Sequence, residues 1–213
     1  VKLNTRYSGE YIKFGNDENN LYRIVSHENS IGTKITSAEP LKDSGIFKTM
    51  SFGDNINYSS TNTIGIFLNS EYLTNYVGNN YANMIEDNTT WYLGTISSTS
   101  SYKLAKYKDI NMTDYTTSTE AKVGLLRFGE LMAGQFNRYT IKGEDVVTNL
   151  TVEYWTLTPF DNKNIHNISH HGGGYNTSLD NNYGIKPSIN LKQNVIITGG
   201  TGTKSDPFTL SGN

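Results

Sequence analysis

Three of the four histidines in the chain, His166, His170 and His171, fall close together, and imidazoles at such spacing are the first place to look for transition-metal or acid–base chemistry. On a hairpin, His166 and His170 share a face. The chain between them, however, carries no acidic residue and runs into the triple glycine Gly172-Gly173-Gly174. These residues are therefore read as loop histidines able to hydrogen-bond a ligand, and no metal is assigned. Asp161-Asn162-Lys163-Asn164 opens like a calcium loop but lacks the glycine and the terminal glutamate of an EF-hand. A calcium site assembled from separate oxygen-rich loops has no linear motif and stays open. Gly199-Gly200-Thr201-Gly202-Thr203-Lys204-Ser205 imitates a phosphate loop, yet Thr203 stands where glycine is needed, and a proline follows instead of a helix. It reads as a tight turn between strands.

Nucleophilic catalysis finds little footing. With no cysteine in the chain, thiol catalysis, cysteine-ligated metals and disulfides are all excluded, and no Gly-x-Ser-x-Gly elbow is present. A glycan-active enzyme stands as a third reading, because two positioned carboxylates leave no linear motif. The expectation is a non-enzymatic domain without a cofactor. Aromatic faces that stack and amides that both donate and accept suit sugars or polar protein surfaces. Trp155, Tyr175, Tyr183, Asn162, Asn164, Asn176, Asp180 and Asn181 lie on or beside one predicted hairpin with the histidines. Trp155, on an alternating central strand, reads more readily as a core residue than as a contact.

The chain has 213 residues, 18% charged residues and a formal net charge of −2, with 15 Tyr and 8 Phe. A nearly neutral surface offers no basic face for nucleic acid or for an anionic membrane, and no apolar run is long enough to span a bilayer. Several Asn-x-Ser/Thr triplets, Asn88-Thr89-Thr90 among them, follow from the Asn, Ser and Thr content. Cysteine avoidance with abundant Asn, Thr, Tyr and Gly points to an extracellular location on a Gram-positive bacterium, as a cell-surface or pilus protein. Any signal or anchor is expected outside residues 1–213. One domain spanning 1–213 is predicted, since no linker interrupts the chain.

The pattern that must position these residues is mostly β. Residues 11–15 and 21–26 read as a hairpin and 33–38 as a third strand ended by Pro40. Residues 43–62 read as irregular. Ile64, Phe67, Leu68, Tyr72 and Tyr76 repeat at helical spacing, with Ser60 or Thr61 as N-cap and Gly78 as the stop. A strand over 90–96, a long excursion over 97–119, a strand over 122–126 and a short helix over 127–133 follow. The last third reads as strands over 154–158, 165–169, 175–179, 184–191, 195–198 and 207–210. The fold class is α+β: a twisted, mostly antiparallel sheet with one or two helices and long loops.

Five segments resemble, in order, an uncharacterised domain of Firmicute surface proteins and of the C-terminal parts of type IV pilin-like proteins. They are Leu21-Tyr22-Arg23-Ile24-Val25, Phe67-Leu68-Asn69-Ser70-Glu71-Tyr72-Leu73, Lys122-Val123-Gly124-Leu125-Leu126, Tyr154-Trp155-Thr156-Leu157-Thr158-Pro159 and the run from Gly184 to Leu210. Lys186 stands where that family more often has Arg, and Thr156 and Thr158 replace a more basic, serine-bearing pattern. More remotely, the Trp strand, hairpin and Gly-Ile-Lys-Pro strand resemble the end of C-type-lectin-like folds, which include the formylglycine-generating enzymes. Their thiol chemistry is ruled out here. The resemblance implies chain ends that lie together and an adhesin-like module binding a glycan or a host or matrix protein. The alternative is a pilin-like structural subunit packing against other pilus subunits.

Overall fold

A computed structural model describes residues 1–28, 32–94, 118–133, 152–170 and 172–212. Its centre is a five-stranded antiparallel sheet in the order Tyr11–Lys13, Leu21–Glu28, Gly32–Ser37, Pro187–Leu191, Val123–Leu125. Strands from both ends of the chain thus meet in the middle. Every residue of Gly32–Ser37 and of Pro187–Leu191 is buried, so both faces of the sheet are covered. The register explains what each face presents. Ile24, Ile35, Ile189 and Val123 stand side by side, as do Arg23, Thr36, Ser188 and Gly124. Because side chains alternate along a strand, one face is apolar and the other polar, and here the polar face is buried too.

The apolar face is covered by the predicted helix, in a modified form. Thr63–Asn69 is α-helical, and its N-cap is Asn62, whose Oδ1 accepts the Gly65 N–H at 2.9 Å; the expected cap at Ser60 or Thr61 lies too early for that bond. The chain then widens into a π-helical stretch, Tyr72–Val77, that ends at Gly78, where φ is +82° and only glycine is unstrained. The widening keeps Tyr72 directed inward, where its hydroxyl meets that of Tyr22 on the sheet. Asn69 ties the same helix to the sheet edge, its Oδ1 accepting from the Val123 N–H at 3.0 Å.

A second five-stranded sheet follows the order Gly174–Ser178, Asn164–Ile168, Tyr154–Pro159, Tyr183–Gly184, Thr49–Met50. It is antiparallel apart from the contact between Tyr154 and Gly184. Thr49–Met50 belongs to the region expected to be irregular, as does the small ladder of Lys42–Asp43 with Ile46–Phe47. Pairing with the distant Tyr183–Gly184 supplies the order of Thr49–Met50, whereas the small ladder closes locally across Ser44 and Gly45. Likewise Ser118–Ala121, at the end of the expected excursion, pairs with Thr89–Tyr92; residues 95–117 lie outside the described residues. The short helix is Phe128–Ala133. Ile196–Gly199 and Thr209–Ser211 close the chain as a hairpin. The first residues dock on it, Leu3 donating to the Val195 carbonyl and Ile197 to that of Val1. Few helices and mostly antiparallel sheet make this an α+β protein.

Candidate functional site

The hairpin Asn164–Ile168/Gly174–Ser178 carries Asn164, His166, Tyr175 and Asn176, with the register His166 opposite Asn176 and Asn167 opposite Tyr175. Its outer strand is an edge of the second sheet. There Tyr175 is 55% exposed and Asn176 is exposed beside it. At one end of the hairpin, the turn 161–163 lies against Leu179, whose N–H donates to the Lys163 carbonyl. This contact brings exposed Asn162 and half-buried Asn164 beside exposed Asp180 and Asn181. Asp161 organises that turn by accepting from the amides of Lys163 and Asn164 and from Asn164 Nδ2. Those bonds hold its carboxyl below the usual carboxylate range. Asn181 Nδ2 donates to Thr177 Oγ1 at 2.6 Å. At the other end, about 14 Å along the strand, His170 Nδ1 lies 3.0 Å from Glu153 Oε1.

Two of the predicted contact residues are core residues. Trp155 is 1% exposed; its indole N–H donates to the Met50 carbonyl at 2.9 Å, and its ring packs edge-on to Phe52 and tilted on half-buried Tyr183. His166 is 4% exposed, with its ring 4.4 Å from that of Phe128 and 5.1 Å from that of Phe160. Burial pushes its pKa down to about 4, against a hydrogen bond with the Tyr175 backbone that works upward. The alternation that places His166 opposite Asn176 also turns it under the Phe128–Ala133 helix, away from solvent. His171 lies outside the described residues. Among the described residues no three His, Asp or Glu side chains converge as a metal site. What remains at the surface is an amide, phenol and carboxylate array suited to hydrogen bonding and stacking.

A second constellation had no signal in the sequence reading. The polar face of the central sheet buries Arg23, Lys34, Thr36, Lys186, Ser188 and Asn190, each at most 8% exposed. Trp91 lies over Gly124, where a Cβ would come within 2.5 Å of its ring. Lys34 Nζ is 3.1 Å from Glu130 Oε2 and 5.5 Å from the Trp91 ring centre. The other carboxylate oxygen, Oε1, accepts the Arg127 backbone N–H at 3.0 Å, which caps the start of the Phe128–Ala133 helix. Burial works to raise the Glu130 carboxyl, and the charges of Lys34 and Arg127 with these hydrogen bonds outweigh it, leaving it below its ordinary value. Lys186, whose Nζ lies 3.3 Å from Thr36 Oγ1, is pushed down to about 7 by burial and by the nearby Arg23 charge. Polar residues at alternate positions ordinarily mark a solvent face, so nothing in the strand pattern announces this buried layer. In comparisons with known proteins, no protein-family model matches the chain, and it matches no curated protein and no solved structure.

Proposed function

We propose that this chain is a non-enzymatic recognition domain of a bacterial cell-surface or type IV pilus protein, C-type-lectin-like in arrangement, that binds a glycan or a host or matrix protein. The observation that carries the reading is the outer strand Gly174–Ser178, where Tyr175 offers a largely exposed ring and Asn176, alternating to the other face of the strand, is exposed as well. Rings of this kind stack on sugars or anchor protein partners at little entropic cost. Asn162, Asp180 and Asn181 extend the polar surface at the end of the same hairpin. Docking of the first residues on the closing hairpin supports a fold whose ends lie together.

A second reading rests on the same strand, because it forms the outer edge of its sheet, where a strand of a neighbouring subunit can add. The two differ in solution. Recognition predicts saturable binding to a member of a glycan and matrix-protein array, weakened at least tenfold by Tyr175→Ala. A structural subunit predicts concentration-dependent assembly by sedimentation, with no binding on the array.

A further inference from the structure

Lys34 and Asn190 are directly paired across adjacent antiparallel strands, and directly paired residues point to the same face with their Cβ atoms about 5 Å apart. Both are buried, at 8% and 2% exposure. Glu130 Oε2 sits 3.1 Å from Lys34 Nζ, and the Trp91 ring shields the amine on another side. The Asn190 carboxamide is held by a single hydrogen bond, from Nδ2 to Thr89 Oγ1 at 3.2 Å. Its Oδ1 is fully buried with no hydrogen-bond partner, a costly arrangement for an amide with no other role. The amine with its carboxylate partner and the carboxamide thus lie at paired positions on one buried face of the sheet.

We propose that Lys34 and Asn190 are the partners of an intramolecular isopeptide bond whose formation Glu130 promotes. The ε-ammonium passes a proton along its hydrogen bond to Glu130 Oε2, and the freed Nζ lone pair attacks Asn190 Cγ. Protons carried by Glu130 move from Nζ to Nδ2 as the Cγ–Nδ2 bond breaks. An ammonium and a carboxamide become an amide and an ammonium ion, with the carboxylate regenerated and no oxidant or other co-reactant consumed. Paired positions on one buried face hold the two groups in proximity, which speeds intramolecular reactions. The product joins the third strand of the chain to one near its end, linking positions 34 and 190 across most of the sequence. A cross-link of this length constrains the unfolded chain as a disulfide would, in a chain with no cysteine. The inference is independent of the recognition reading.

Intact-mass spectrometry of the denatured protein, followed by tandem sequencing of its tryptic digest, tests this directly. The expected result is a species one ammonia lighter than the sequence mass and a branched peptide joining residues 34 and 190. Lys34→Arg, Asn190→Ala and Glu130→Gln should each return the full mass. A full mass for the unaltered protein overturns the proposal. So does a mass lower by one ammonia without the branched peptide, which would mean a succinimide at some asparagine instead.

Discussion

The imidazole of His166 lies between the rings of Phe128 and Phe160 with a pKa of about 4, whereas in the unfolded chain it titrates near the ordinary 6.5. Between these values the unfolded chain binds the extra proton, so stability falls as the pH drops through that window and is intact above it. The difference corresponds to about 3 kcal/mol as an upper bound. Replacing His166 by Leu is expected to flatten the loss of stability between pH 7 and pH 4.5 seen in urea unfolding. An unchanged pH profile would show that folding does not lower the His166 pKa. From the sequence, His166 and His170 read as ligand contacts, and Trp155 as a candidate contact with core the stronger reading. Residue type and hairpin placement were legible for all three, but the packing of Phe128 over His166 and of Phe52 over Trp155 comes from segments far away in the chain. Tyr175 and Asn176, on the outer strand, needed no such information, and they are the residues that stay exposed.

The helix and the central sheet are joined by the hydroxyls of Tyr22 and Tyr72, both 0% exposed; burial pushes both phenols up, so the pair stays neutral. Tyr72→Phe leaves the Tyr22 hydroxyl buried without this partner and should cost about 1–3 kcal/mol, while adding Tyr22→Phe should recover much of it. Additive losses in that double-mutant cycle would mean the two hydroxyls do not act as a pair. On the opposite side of the sheet, Gly124 gives Trp91 the space to lie flat. Gly124→Ala is expected to destabilise by about 1–3 kcal/mol from overpacking, measured by thermal unfolding. The helix was legible from Ile64, Phe67, Leu68 and Tyr72, since burial follows that spacing. Its π-helical stretch was not, because it answers to Tyr22 on another element. Thr49–Met50 and Ser118–Ala121 were missed for a related reason. Their strand character comes from partners at Tyr183–Gly184 and Thr89–Tyr92 and not from their own composition.

Across the whole molecule, both chain ends contribute to one core that runs from Leu3 to Phe208. The interior combines aliphatic side chains with large aromatic ones, and part of it is polar, built on Lys34, Glu130, Lys186 and Asn190. The outer strand Gly174–Ser178 lies at the edge of its sheet with Tyr175 and Asn176 exposed, and the proposed recognition function depends on it. A ligand that binds the folded state raises the melting temperature with its concentration by mass action. The most direct measurement is thermal unfolding of the full chain titrated with the best binder from a glycan and matrix-protein array, run in parallel on Tyr175→Ala/Asn176→Ala. The account predicts a melting temperature that climbs with ligand for the unaltered chain and stays flat for the double variant, whose unliganded melting temperature is within about 2 °C of the original, as expected for exposed positions. Equal ligand-dependent shifts in the two proteins would contradict it.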